Sequence, residues 1–206
     1  MTSTGLFVAF EGGEGAGKST QVKLLAKALA RQGVETVTTH EPGDTAVGRR
    51  LREILLGHDT GALDPRTEAL LYAADRAEHV AQVVRPALER GAVCITDRYI
   101  DSSLAYQGAG RTLDPADVER ISVWATGGLW PHLTVLLDID PAVGLTRFST
   151  PADRLEAEPL AFHQRVREQF LGLSRREPER YIVLDASAPV GDVAEQIRKA
   201  VEDRLP

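Results

Sequence analysis

Apolar residues fall in short dense runs, separated by longer stretches in which they recur every three or four positions. The dense runs are LFVAF (6–10), VETVTTH (34–40), AVCITDR (92–98), LTVLLDI (133–139) and YIVLD (181–185). AVCITDR is apolar at nearly every position, which suits a strand buried on both faces. Between the runs the period changes. Val22, Leu25 and Leu29 recur at helical spacing over 18–32, with Gly33 placed to end the helix in a left-handed turn. Val47, Leu51, Ile54 and Leu55 mark a shorter helix closed by Gly57. Asp64 and Pro65 give the N-cap and first position of a longer helix over TEALLYAADRAEHVAQVV, which Pro86 is expected to bend or interrupt. The same Asp-Pro start recurs at Asp114-Pro115 and Asp140-Pro141. Residues 149–153, STPAD, lack periodicity and read as a loop; a helix, the strand YIVLD and a last helix follow. Strands alternating with helices predict a parallel five-stranded sheet with helices on both faces. No repeat, linker or low-complexity tract divides the chain, so residues 1–206 are expected to form one domain.

Charge and cysteine content narrow the partners. With 24 Lys+Arg against 30 Asp+Glu, the net charge of -6 argues against a protein that coats nucleic acid. A small, locally neutralised anion remains compatible. Cys94 is the single cysteine and sits in an apolar run, so it reads as a core residue of a protein from a reducing compartment. LFVAF is far too short for a signal-peptide core or a membrane span, and a cytoplasmic location without a membrane partner is expected. His40, His58, His79, His132 and His163 are scattered without a ligand spacing, which reads as ordinary polar or capping use.

One stretch carries chemistry on its own. In FEGGEGAGKST (10–20), Gly12, Gly17, Lys18 and Ser19 match G-x-x-x-x-G-K-[ST], a pattern that chance produces in roughly one chain of this length in a hundred. It falls between a predicted strand and a predicted helix, as a phosphate-binding loop requires. Such a loop turns successive backbone N–H groups inward and adds the positive end of the following helix. Gly12, Gly13, Glu14, Gly15, Ala16, Gly17, Lys18, Ser19 and Thr20 are therefore expected to hold the phosphates of ATP. Lys18 is expected to neutralise the β- and γ-phosphates, and Ser19 to ligate Mg2+. The fold class is then that of the P-loop NTPases. The loop alone leaves switches, motors, transporters and kinases open. The base-recognition pattern N-K-x-D of guanine-specific switches does not occur.

A second segment is more selective. DRYIDSSLAYQGAGR (97–111) places an acid, an arginine, hydroxyls, an aromatic and an amide at the carboxyl end of the third strand, where open α/β sheets bind ligands. Together with FEGGEGAGKST, EPGDT, the AADR of the long helix and DRLE, it resembles the bacterial thymidylate kinases in order and spacing over nearly the whole chain. The resemblance implies transfer of the ATP γ-phosphoryl group to dTMP, with Mg2+ and a homodimer. It implies that Arg98 holds the dTMP phosphate, a task its planar fork of donors suits. It implies that Arg76 bonds the thymine carbonyl, that Tyr72 stacks on the base, and that Ser103, Tyr106 and Gln107 line the sugar and base. Glu14 matches an acid at the acceptor 3′-hydroxyl, and Asp97 an acid near Mg2+, although a helix-capping role fits Asp97 as well. Residues 13–16, GEGA, bring no cation, so the resemblance is to the branch with catalytic arginines in a lid. The lid segment is about 147–156, bordered by Arg147 and Arg154. This lid is leaner in arginine than is usual, and His40 and Asp44 stand where Arg and Gly are commoner. Another nucleoside monophosphate as acceptor, or an ATP-dependent binding or switch module, is the alternative.

Overall fold

The computed structural model describes residues 5–111, 113–147 and 154–205. The five expected strands form as β1 (Leu6–Glu11), β2 (Thr36–His40), β3 (Val93–Asp97), β4 (Leu133–Asp138) and β5 (Tyr181–Asp185). They pair in the order β2-β3-β1-β4-β5, every pair parallel. The central strand β1 is buried at all six positions, and its side chains alternate between two cores. Phe7 and Ala9 join Leu88, Ile100, Val118, Phe162, Val166 and Phe170 on one face. Leu6, Val8 and Phe10 join Val22, Leu25, Leu29, Ile197 and Val201 on the other. A strand with both faces covered has no place for alternating polar residues, which is why LFVAF and AVCIT read as continuous apolar runs. The edge strands β2 and β5 are mixed and half exposed.

Around the sheet lie α1 (Lys18–Arg31), α2 (Ala46–Leu56), α3 (Pro65–His79), α4 (Arg85–Glu89), α5 (Ile100–Ser103), α6 (Pro115–Thr126), α7 (Pro141–Gly144), α8 (Leu160–Arg176) and α9 (Val190–Glu202). The three Asp-Pro pairs open α3, α6 and α7, each aspartate accepting from the backbone N–H two residues on. Gly33 ends α1 at φ 74, as expected. Ahead of Pro86 the α-helical bonding of α3 lapses into a π-helical turn over Val80–Val84 before α4 resumes. Pro86 has no N–H to give, so the widened turn absorbs the missing bond. Cys94 is fully buried, and burial pushes its thiol up to about 12. The loop expected at 149–153 lies outside the described residues.

Candidate active site

The backbone turns sharply after Glu11. Gly12 adopts φ 136 and Gly15 φ 69, and a Cβ at either would collide with a carbonyl oxygen, that of Leu137 for the first and of Gly144 for the second. Only glycine fits such a turn packed this closely. Gly17, also left-handed at φ 86, precedes α1 with no side-chain cap, and the first turn of α1 carries no acid. The contrast with α3, α6 and α7 is physical. Where those helices satisfy their first N–H groups with an aspartate, α1 leaves its positive end open to an outside anion. Lys18 folds back so that Nζ donates to the carbonyls of Gly12 (3.0 Å) and Gly13 (2.9 Å). Burial and the Arg98 charge lower the Lys18 pKa, while Glu14, Asp97 and Glu11 oppose them. Ser19 Oγ donates to Asp97 Oδ2 at 2.6 Å, bringing together the two residues expected near Mg2+. Two adjacent oxygen ligands suit a hard cation.

The loop, from Glu14 on, lines a cleft of about 640 Å³ that also takes in residues 40–42 and Asp97, Arg98, Ser102, Ser103, Tyr106 and Gln107. Gly12 and Gly13 lie behind this lining, and Lys18 reaches back to them. Arg98 also lines the cleft, its guanidinium 3.4 Å from the Gly12 carbonyl of the loop, and it is the only non-glycine residue with positive φ (74) among the described residues. Its guanidinium donates to Glu14 Oε1 (2.5 Å), Ser102 Oγ (3.2 Å) and Tyr106 Oη (3.3 Å), and lies 5.1 Å from the Tyr106 ring centre. The Tyr106 hydroxyl donates to the same Glu14 oxygen at 2.7 Å. Burial lifts the Glu14 pKa, but Arg98, Lys18 and the Tyr106 hydroxyl outweigh it and hold the carboxyl down at about 2. Burial opposes the Arg98 charge, and Glu14 more than compensates, so the guanidinium stays ionised.

Further along the cleft Tyr72 and Arg76, one turn apart on α3, both line it. Arg76 is 1% exposed, and four of its five N–H donors are engaged: Nε donates to Glu41 Oε2 (2.8 Å), and the terminal nitrogens donate to the Tyr99 carbonyl (3.0 Å), Ser103 Oγ (3.1 Å) and Ser122 Oγ (3.4 Å). Glu41 Oε1 lies 2.8 Å from His79 Nδ1, and His79 Nε2 lies 2.7 Å from Thr39 Oγ1. Thr39 in turn bonds Asp44, which pairs with His40 at 3.7 Å. The two unusual residues His40 and Asp44 thus lie at the outer end of a polar chain leading to Arg76. Gln107 lines the cleft and donates to Glu68 at 3.0 Å.

The two arginines that border the expected lid go to different places. Arg147 lines the cleft and donates to the carbonyls of Gly15 (3.1 Å) and Ala186 (3.3 Å). Arg154 instead donates to the Leu55 carbonyl (2.9 Å) and pairs with buried Glu68 at 2.5 Å, two contacts from the cleft through Gln107. Of the rest of the expected lid, 148–153 lies outside the described residues, while Leu155 and Glu156 line the cleft.

Several residues of the site have no motif to announce them. Ala186, Ala188 and Val190 form an apolar margin beside the loop, suited to a flat base. Gly144 meets the loop so closely that a Cβ there would strike the Glu14 carbonyl. Glu11 is fully buried; its place as a lone acid ending an apolar run is the one signal the sequence offered for it. Among the described residues no group of three His, Cys, Asp or Glu could hold a metal by itself.

A parallel sheet with a phosphate-binding loop after its central strand, sharing one cleft with a half-buried arginine, defines a P-loop phosphotransferase. Comparison with known proteins narrows the class. The sequence profile described as Thymidylate kinase matches residues 10–197. The chain is 57% identical to a thymidylate kinase of Clavibacter sepedonicus over 95% of this chain and 93% of that one. It is 54% identical to that of Leifsonia xyli subsp. xyli (98% and 96% covered) and 49% identical to that of a Synechococcus strain (98% and 96%). The chain belongs to the thymidylate kinase family.

Proposed function

We propose a division of labour within this cleft for the reaction that family membership gives the chain, phosphorylation of dTMP with ATP as donor. The bond from the γ-phosphorus to the bridging β,γ-oxygen breaks, and a bond to a phosphate oxygen of dTMP forms, leaving ADP and dTDP. The observation that carries the reading is that Lys18 and Arg98 line one cleft and converge on the loop, both donating to the Gly12 carbonyl, with Arg98 also paired to Glu14.

Residues 12–20 hold the triphosphate through their amides, and Lys18 exchanges the two carbonyls it now bonds for β- and γ-phosphate oxygens. Ser19 and Asp97 would hold Mg2+, which would supply positive charge against the phosphate oxygens. Arg98 grips the acceptor phosphate in place of its contact with Glu14, freeing that carboxylate for the 3′-hydroxyl. Tyr72 stacks on thymine, Arg76 bonds its carbonyl, and Ser103, Tyr106 and Gln107 border the sugar and base. Of the two lid arginines, Arg147 supplies charge at the donor phosphates, since it already leans on Gly15, while Arg154 acts from the acceptor side through Glu68. One kinase domain spans residues 1–206. Kinship with the family supports a homodimer, and the single buried thiol fits the cytoplasm. Among the described residues no helix is long and apolar enough to cross a membrane.

A coupled assay of ADP release across the nucleoside monophosphates tests the reading. Turnover with dTMP well above that with dCMP or UMP is expected. Preference for either of those, or ATP hydrolysis indifferent to any monophosphate, would overturn it.

A further inference from the structure

Arg98 must be aimed before it can bind anything, and its left-handed backbone (φ 74) is an unfavourable one for a residue with a Cβ. Something has to hold it there. Its own N–H donates to the Phe10 carbonyl at 2.9 Å, and Thr96 Oγ1 donates to its carbonyl at 2.9 Å. The next polar groups along the chain are taken by one distant side chain. Glu11 Oε1 accepts from the Tyr99 N–H (2.8 Å) and from the Ser102 N–H (3.1 Å). Glu11 Oε2 accepts from Ser102 Oγ (2.6 Å), and that same hydroxyl oxygen accepts from the Arg98 guanidinium (3.2 Å).

Tyr99 stands at the N-cap of α5 and makes no side-chain cap of its own. Its ring is committed to the core, edge-on to Phe7 with centres 4.9 Å apart, and its hydroxyl donates to the Leu129 carbonyl. The acceptor that a capping side chain would supply comes instead from the end of β1. The Glu11 carboxyl therefore fixes the turn after Arg98 through two amides and reaches the arginine's head group through Ser102.

We propose that Glu11 is a positioning residue for the acceptor phosphate, fixing the left-handed turn that aims Arg98 into the cleft. This rests on reading Arg98 as the ligand of that phosphate. Burial, then the neighbouring Asp101, push the Glu11 carboxyl up to about 8, and glutamine is the neutral isostere of the protonated acid. Glu11→Gln retains an oxygen for both amides and is the conservative rescue.

The test is calorimetric titration of the full chain with dTMP and, separately, with ATP, for the parent, Glu11→Ala, Glu11→Gln, Ser102→Ala and Arg98→Ala. Glu11→Ala is expected to weaken dTMP roughly tenfold, the scale of a lost bond serving a charged group, while ATP stays within about threefold. Glu11→Gln is expected to recover most of that loss. Unchanged dTMP affinity in Glu11→Ala, or equal weakening of both nucleotides, would overturn the proposal, the latter because Glu11 would then merely support the adjoining phosphate loop. Should Glu11→Ala not fold, Ser102→Ala carries the test: a several-fold loss of dTMP affinity alone supports the proposal, and no loss overturns it. Arg98→Ala separates the two levels. If it leaves dTMP binding intact, the reading of Arg98 fails and this proposal with it; if it abolishes binding while Glu11→Ala binds like the parent, only the role of Glu11 falls.

Discussion

On the donor side of the cleft the polar groups come from one continuous stretch, residues 12–20, and most are backbone amides left open by glycine turns and an uncapped helix. On the acceptor side they are side chains brought from remote segments: Glu14 from the loop, Glu41 from the end of β2, Tyr72 and Arg76 from α3, and Arg98, Ser103, Tyr106 and Gln107 from beyond β3. The first side leaves its helix-end amides open to an outside anion, while Lys18 is held by two carbonyls of the same loop. The second is a largely buried network in which most charges are already paired. A site built from backbone tolerates loss of a side chain structurally and suffers in catalysis, whereas a site built from buried ion pairs suffers first in stability.

That difference can be broken from either side. Glu41→Ala strands the Arg76 guanidinium in the core and is expected to cost about 3–5 kcal/mol in urea unfolding, the penalty of removing one partner of a buried pair. A loss below about 1 kcal/mol would mean the acceptor network is not what holds that wall together. Lys18→Ala, on the donor side, is expected to lower kcat by about 10²–10³, as removal of a single transition-state donor does, with little change in unfolding free energy. Arg147→Ala and Arg154→Ala sharpen the contrast. The first is expected to reduce kcat by about tenfold or more with nucleotide affinities nearly unchanged, and the second to change kcat less. The reverse order would move the catalytic charge to Arg154. Smaller still, Asp64→Ala removes a cap remote from the cleft and is expected to cost about 1 kcal/mol of stability with both Michaelis constants unaltered.

The pH dependence of stability has a definite sign. Burial, then Asp101, raise Glu11 to about 8, and burial, then Glu41, raise Asp75 to about 6. Both carboxyls hold protons in the folded chain that the unfolded chain releases. Their contribution is full below the ordinary carboxylate range and is lost as pH rises through 6 and then 8. Melting temperature is expected to fall between about pH 5 and 9, and Glu11→Gln to flatten the upper part of that decline. An identical slope in the variant would place the titration elsewhere.

The same contrast explains what could be read from the chain. The donor half was legible because its function lies in consecutive residues whose spacing, strand before and helix after, follows from backbone geometry. The five strands and the Asp-Pro helix starts were legible for the same local reason. Arg98, Arg76 and Tyr72 emerged through resemblance, and no periodicity could have joined α3 to the end of β3. Glu11 and Gly144 were missed, since the importance of each depends on a chain segment about ninety or more residues away. The π-helical turn at Val80–Val84 was half legible: Pro86 marked the place, but the way the helix accommodates it depends on packing.

A crystal structure of the chain with ADP and dTMP tests the central claim most directly, that one cleft joins a backbone cradle to an arginine-held acceptor. The expected result places the β-phosphate among the amides of residues 12–20 and the dTMP phosphate on the Arg98 guanidinium, with the bond between Arg98 and Glu14 displaced. Either nucleotide in another crevice, or dTMP bound with Arg98 still turned to Glu14, would contradict it.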